Sequence, residues 1–265
     1  MGARGGSSHG RGGGTGGQFT SESYRVAEDI AQRLNVKLDI DAFIANNVQP
    51  TMVTWALKKI IEMSHLVPII SQIVQSMGVD DRKNVYASMS YYGDLYLGLV
   101  GKKKLDELTA MYERDVAANF HPKGTTARSI IFHELGHALE GYLAGFEHGL
   151  STRTWGVVSD RIVLRAAQRY FDTVVAPKYR EQELGENYIA QLRPAVIQDA
   201  HPYAQRLSDY AVSKIPDNFR HKTKATWATW ETLAEGIGEY AERRDNASLF
   251  SRYIWEETMK EVASK

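Results

Sequence analysis

The pentapeptide His-Glu-Leu-Gly-His at residues 133–137 constrains the fold of this chain more than any other stretch. Two histidines four residues apart lie on one face of a helix, a single turn from each other. The flanking sequence favours a helix over residues 126–143, with Thr125 or Thr126 as its N-cap and Gly145 at its end. An apolar stripe beside the histidines would face the core: Ile131, Leu135, Ala138 and Tyr142.

The same spacing is typical of a zinc site. On a helix, the imidazoles of His133 and His137 aim at one point, as tetrahedral zinc requires at roughly 2.0–2.1 Å from each nitrogen. Glu134 would lie beside that point and take a proton from a metal-bound water, which zinc makes more acidic. The alternative is a pair of histidines that only hydrogen-bond to their neighbours. Gly136 favours the metal interpretation, because it leaves room for a backbone or a substrate.

A zinc site of this kind needs a third protein ligand, and the nearby histidines do not supply it. The position six residues after His137 carries a histidine in one class of such sites, but Leu143 stands there. His148 fits no helical register with the pair. His121 belongs to the turn-forming string HPKG. We expect it to be a structural or substrate-side residue.

The remaining source of a third ligand is an acidic residue on a second helix, predicted over residues 226–243. Glu231 and Glu235 are four residues apart there and share one face. Small residues beside them, Ala228, Ala234 and Gly238, would let this helix pack closely against the first. On an arbitrary helix, both acids would more simply be solvated surface groups.

The rest of the chain predicts a mainly helical α+β domain over residues 19–265, without an internal repeat or a linker. Residues 69–77 fit either a helix or a strand. Residues 84–99 predict two short strands joined at Gly93 and Asp94. This small sheet would lie beside the HExxH helix, with an edge strand that could hold an extended substrate. Further helices are expected over residues 21–34, 51–63, 102–118, 159–175, 180–200 and 248–262.

Composition excludes several other classes of protein. The chain has 265 residues and no cysteine, which removes disulfide scaffolds, thiolate metal sites, Fe–S clusters and cysteine nucleophiles. Its 32 basic and 32 acidic residues balance, which argues against indiscriminate binding to nucleic acid. No apolar run approaches the roughly 18 residues of a membrane span. The first residues also lack the apolar segment of a signal peptide.

Residues 1–18 have a composition of their own. They hold nine of the 22 glycines, two arginines and no acidic residue, so they cannot bury apolar surface and are expected to form a flexible tail. An RGG-like tether to nucleic acid is the alternative, but two arginines without an aromatic residue are a weak basis for it. An RNA-binding virion protein that works through this tail is disfavoured by the neutral body.

Three separated motifs resemble one known group of proteins. Residues 112–143 (YERDVAANFHPKGTTARSIIFHELGHALEGYL) resemble the peptidase-like domains attached to phage minor head (capsid morphogenesis) proteins and their prophage relatives. The strings LSDYA at residues 207–211 and WETLAEGIGEY at residues 230–240 are similar to the paired downstream motifs of that group. The group is related to the zinc peptidases of the anthrax lethal-factor type (Glu-zincins). The resemblance covers roughly residues 84–245, with the motifs in the expected order.

The resemblance implies a zincin-like fold and a role for each motif residue. By this resemblance His133 and His137 bind zinc, Glu134 is the general base and Glu231 is the third metal ligand. Glu235 would orient a zinc-bound imidazole through its other N–H group.

The resemblance also implies a role for one tyrosine. Tyr210 would donate a hydrogen bond to the oxyanion of the tetrahedral intermediate. Since the chain has 14 tyrosines, a core or surface position is the alternative for Tyr210.

The function expected from these features is zinc-dependent hydrolysis of peptide bonds in a protein or peptide substrate. Phage capsid and portal proteins are candidate partners, and neither a specific nucleic acid nor a membrane is expected. The protein would then be virion-associated or lie in the host cytoplasm. The rival is a structural, head-associated phage protein that keeps the fold without turnover. Glu134 favours the enzyme, because a structural metal site would not need an acid that is not a ligand.

Overall fold

A computed structural model shows that the chain is mainly helical with one small mixed sheet, which confirms the predicted α+β class. The structure describes residues 19–82, 85–90, 92–98, 104–148, 156–198, 207–209, 211 and 226–265. The predicted tail, residues 1–18, lies outside the described residues. Among the helices described, none combines the length and the apolar character that crossing a membrane would need.

The part of the chain before the HExxH helix contains the sheet and several helices. After a 3-10 helix at Ser21–Tyr24, the helices are α1 (Arg25–Leu34), α2 (Ile40–Ala45), α3 (Pro50–Ser64), α4 (Ile70–Ile73) and α5 (Leu105–Ala117). The strands are β1 (Lys37–Leu38), β2 (Ser76–Asp80), β3 (Ala87–Met89) and β4 (Asp94–Gly98). The ambiguous run 69–77 therefore divides, with a turn of helix first and the start of a strand after it.

The sheet has the strand order β1-β2-β4-β3. Strand β2 pairs in parallel with both β1 and β4, whereas β3 and β4 form the predicted antiparallel hairpin, with Ser88 opposite Tyr96. Gly93 has a φ of +85° in the turn between them, and a Cβ there would lie 2.0 Å from the carbonyl oxygen of Ile73. Only glycine therefore fits this turn. Strand β3 is the outer strand and packs against the HExxH helix, as predicted.

The second part of the chain is helical throughout its described residues. Its helices are α6 (Arg128–His148), α7 (Val157–Tyr170), α8 (Ala176–Glu181), α9 (Glu186–Gln198), α10 (Thr226–Arg243) and α11 (Leu249–Ala263). A π-helical turn at Phe171–Val175 joins α7 to α8, and a 3-10 turn at Arg244–Asn246 precedes α11.

Two helix predictions in this part were wrong in their bounds. The HExxH helix α6 does not end at Gly145 but continues to His148. The burial of Leu143 and Ala144 against the core outweighs the cost of about 1 kcal/mol that a glycine brings to a helix interior. The single helix expected over residues 180–200 is broken between α8 and α9, where Glu183 has a φ of +60°. A left-handed residue cannot continue a right-handed helix.

The core is arranged around the pair formed by α6 and α10. Helices α3 and α4 and strand β3 pack against α6, while α7 and α11 pack against α10. The apolar residues of α10 recur at helical spacing and several of them are buried: Leu233, Ala234, Ile237 and Ala241. The two helices that carry the candidate site residues are therefore held from both sides by packed helices.

Candidate metal centre

Glycine brings α6 and α10 into direct backbone contact. A Cβ added at Gly136 would lie 3.0 Å from the Cα atom of Ala234, and a Cβ added at Gly238 would lie 3.3 Å from the backbone nitrogen of His133. Neither position leaves space for a side chain without a shift of the opposite helix. Because the backbones approach so closely, short side chains from the two helices can reach one point between them.

A half-buried carboxylate also attaches the start of α6 to α10. Glu242 of α10 accepts hydrogen bonds from the backbone N–H of Thr126 at 3.0 Å and from the hydroxyl of Ser129 at 2.6 Å. Thr126 in turn accepts the backbone N–H of Arg128, the first residue of α6, at 3.4 Å, although it lies one residue before the N-cap position that the sequence predicts for it. The HExxH helix thus begins at a fixed position relative to the acidic residues of α10.

Three side chains from these helices converge on a small triangle of atoms. The Nε2 atoms of His133 and His137 are 3.1 Å apart. The Oε2 atom of Glu231 lies 3.2 Å from the first and 3.6 Å from the second. A tetrahedral zinc ion with bonds of about 2.0–2.1 Å spaces its ligand atoms by about 3.3–3.4 Å. Within the described residues, His133, His137 and Glu231 form the group able to hold a metal ion, and their spacing fits zinc.

Both acids of α10 are buried, so they are not the solvated surface groups that an arbitrary helix would carry. Glu231 is 8% exposed and Glu235 is 4% exposed. The second acid lies behind the triangle, where its Oε1 atom is 3.6 Å from Nδ1 of His133. The structure therefore places Glu231 at the Nε2 atoms of both histidines and Glu235 at the opposite nitrogen of the His133 imidazole.

Opposite charges in this buried cluster shift the pKa values of its members. Burial by itself would lower the pKa of His133, but the hydrogen bond to Glu231 and the charges of Glu235, Glu231 and Glu134 raise it to about 9. Burial would raise the pKa of Glu231, yet its hydrogen bonds to His133 and His137 bring it well below its usual range. Without a metal, the site therefore holds a proton on His133 and a charge on Glu231.

Glu134 lies in the same cleft without joining the triangle. It is 9% exposed, and burial raises its pKa, although the neighbouring His133 and His137 lower it in part. A carboxylate with a raised pKa is a stronger proton acceptor than one in water. The carboxylate of Glu134 can therefore accept a proton from a group that lies in the cleft.

The site opens into a cleft of about 680 Å³ between β3, α5, α6 and α10. Its lining includes several residues that the sequence did not single out: Arg82, Tyr86, Asp115, Phe120 and Trp230. The indole ring of Trp230 meets the His137 ring edge-on at 5.9 Å, and the Tyr86 hydroxyl donates to Asp115 at 2.6 Å. Asp115, Phe120 and Trp230 fall within the quoted strings 112–143 and 230–240, although no role was predicted for them. Arg82 has no motif spacing with the HExxH string, so no local signal could have identified it.

Strand β3 lines this cleft, and no strand among the described residues pairs with its outer side. Its neighbours Tyr86 and Ser90 bond toward β4, through Gly98 N–H to the Tyr86 carbonyl and Ser90 N–H to the Asp94 carbonyl, both at 2.9 Å. Backbone groups alternate in an antiparallel pair. Those of Ala87 and Met89 therefore point away from β4.

The predicted oxyanion donor, Tyr210, lies outside the described residues. Its neighbour Asp209 is described and donates its backbone N–H to the Asn119 carbonyl at 2.9 Å, while the side-chain amide of Asn119 donates to Asp209 at 3.2 Å. These hydrogen bonds connect the LSDYA string to Asn119, two residues before His121, which lines the cleft. His121 itself does not belong to the triangle.

Comparison of the chain with protein-family models, with curated proteins and with solved structures finds no match.

Proposed function

We propose that this chain is a zinc-dependent peptidase with a zincin-like catalytic domain. The observation that carries the proposal is the triangle of two imidazole nitrogens and one carboxylate oxygen, whose sides of 3.1, 3.2 and 3.6 Å match tetrahedral zinc. Two histidines and a glutamate are also the donor set of catalytic zinc sites that keep a fourth position open. His133, His137 and Glu231 would hold the ion.

Zinc bound there would acidify water and polarise the carbonyl of the scissile bond. Glu134 then performs the proton transfers with its own carboxylate: it takes a proton from the attacking water and delivers it to the leaving amine. Burial, which raises the pKa of Glu134, suits it to both steps, because the group must bind a proton and then release it. Glu231 cannot share this role, since its charge is engaged by the two imidazoles.

The free edge of β3 supports an extended polypeptide as the substrate. The outward backbone groups of Ala87 and Met89 can add one more strand to the sheet by main-chain hydrogen bonds. Such a strand would run along the cleft that contains Glu134 and the triangle. We further propose that the protein is encoded by a phage or prophage, and that capsid or portal proteins are its partners.

The second candidate function is a head-associated structural protein that retains the zincin fold without catalysis. In such a protein a metal could stabilise the fold by linking the two helices, so the triangle alone does not distinguish the two functions. Glu134 favours the enzyme. A buried carboxylate outside the ligand set is costly to a purely structural site, because burial disfavours its charged form.

Replacement of Glu134 by glutamine tests the proposal. The amide keeps the shape of the side chain but cannot take a proton, so the variant should bind zinc and lose hydrolysis. Wild type and variant would be incubated with a mixed peptide library and with co-expressed capsid proteins, and the fragments compared by mass spectrometry. Cleavage should occur in wild type, stop with a chelator and be absent in Glu134→Gln.

A matched control is Glu113→Gln on α5, which removes an exposed glutamate. This control should cleave like wild type. Identical fragment patterns for wild type and Glu134→Gln across the library and the capsid proteins would instead favour the structural function.

A further inference from the structure

His121 is held in the wall of the cleft by three aromatic rings. Its imidazole stacks on Tyr112 with ring centres 4.6 Å apart and an angle of 14° between the planes. Phe120 meets it edge-on at 5.1 Å, and Tyr86 lies at 6.2 Å with a tilt of 54°. The side chain of His121 is only 12% exposed. Its ring therefore has one defined orientation, set by residues of α5, of the loop after it and of the segment leading into β3.

The polar edge of this ring is directed at the second acid of α10. The Nδ1 atom of His121 lies 3.2 Å from Oε1 of Glu235. The same Oε1 atom lies 3.6 Å from Nδ1 of His133. One buried carboxylate oxygen thus bridges two imidazoles, one at the triangle and one outside it.

We propose that His121 is a positioning residue for the metal centre and acts through Glu235. This inference rests on the proposed function, because it assigns His121 a part in holding the zinc. His121 donates its Nδ1–H to Glu235 and fixes that carboxylate beside His133. Glu235 then accepts the Nδ1–H of His133, which leaves the Nε2 lone pair of His133 directed at the metal.

The burial of Glu235 gives this arrangement its physical basis. A carboxyl group that is 4% exposed needs hydrogen-bond partners inside the protein, because a buried polar group without them is costly. The donor at 3.2 Å comes from His121, so its removal leaves the carboxylate short of a partner and free to turn away from His133. His121 is not one of the three residues of the triangle. It acts on His133 through Glu235, which faces the Nδ1 atom of His133, whereas the triangle uses the Nε2 atom.

Two substitutions of His121 separate a donor from a packing residue. His121→Phe keeps a ring that can stack on Tyr112 but has no N–H donor. His121→Asn loses the ring and keeps an amide N–H near the place of Nδ1. A positioning role predicts that phenylalanine is harmful and asparagine is tolerated, whereas a packing role predicts the reverse.

Zinc affinity would be measured by competition with a chromophoric chelator, with circular dichroism and thermal melting as checks on folding. We expect His121→Phe to weaken zinc binding by about 10–100-fold and His121→Asn to remain within about threefold of wild type. If His121→Asn is impaired as much as His121→Phe, or if both bind like wild type, the inference is wrong while the zinc site stands. A wild-type chain that binds no zinc would overturn the proposed function and this inference together.

Discussion

Gly136 of the HExxH helix lies against Ala234 of α10 so closely that a Cβ at position 136 would stand 3.0 Å from the Cα of Ala234. This contact sets the distance between the helix that carries the histidines and the helix that carries the acids. Glu231 lies three residues before Ala234, nearly one turn along α10, and its Oε2 atom reaches both His133 and His137. Gly136, in the middle of the HExxH string, thus sets the distance at which Glu231 reaches the two histidines.

Replacement of Gly136 by alanine should therefore damage the site without touching a ligand. The new methyl group meets backbone, which cannot rotate aside, so α10 must move by a few tenths of an ångström and the triangle must widen. We expect a loss of about 1–3 kcal/mol in the free energy of unfolding, typical of an overpacked core, and a zinc affinity at least several-fold weaker. Urea denaturation and chelator competition would measure the two effects.

Gly185→Ala is the matched control, since a Cβ at Gly185 meets nothing within 4 Å. Its free energy of unfolding should stay within about 1 kcal/mol of wild type and its zinc affinity should not change. Equal behaviour of the two alanine variants would contradict the spacing role of Gly136.

The two acids of α10 should differ sharply in what their loss does to zinc binding. Glu231→Gln should abolish tight binding, because it replaces the anionic carboxylate of the triangle with a neutral amide, and His137→Ala should do so because it removes an imidazole. Glu235→Gln should weaken affinity or activity by about 10–100-fold, since it only alters the support of His133. Elemental analysis of the purified chains should give about one zinc per wild-type chain. Loss of zinc in Glu235→Gln with retention in Glu231→Gln would reverse the assignment of the two acids.

The metal-free protein should lose stability as the pH rises past neutrality. The pKa of His133 is raised from an ordinary 6.5 to about 9 in the folded chain, because its acidic neighbours outweigh the effect of burial. A raised folded pKa contributes stability that is fully present below the unfolded pKa and is lost as the pH rises through the folded one. With a chelator present, the free energy of unfolding should fall between about pH 6.5 and 9, by an amount on the order of 1–3 kcal/mol.

Urea denaturation across this pH range would measure the fall. His133→Gln carries no titrating imidazole at this position, so its stability should change less over the same interval. Parallel curves for the two proteins would show that His133 is not the group responsible.

Tyr210 is predicted to stabilise the oxyanion. Its hydroxyl can be removed by substitution with phenylalanine, which keeps the aromatic ring. Tyr210→Phe should leave zinc binding intact and lower the turnover rate on the order of a hundredfold or more, the typical cost of one oxyanion donor. The exposed Tyr92 provides a control, since Tyr92→Phe should hydrolyse peptides at the wild-type rate. A Tyr210→Phe variant with undiminished turnover would remove this residue from the mechanism.

Local features of the sequence were enough to identify the two helices of the site. The expected helix over residues 226–243 coincides with α10, and the hairpin of β3 and β4 falls within the predicted 84–99. Both predictions depend on apolar spacing and turn residues within a few positions of one another. The pairing of His133 with His137 is local in the same sense, because one turn of a helix brings them together.

Only the tertiary structure decided which groups meet at the site and behind it. His121 and Glu235 are 114 positions apart, and no periodicity in the sequence between them would bring the two side chains to 3.2 Å. The end of α6 at His148 and the membership of Arg82 in the cleft depend in the same way on surfaces that exist only after the helices have packed. The periodicity of the sequence determines which face of a helix is apolar. The distance between two packed helices depends on how their side chains fit together, and here it is set by the contact of Gly136 with Ala234.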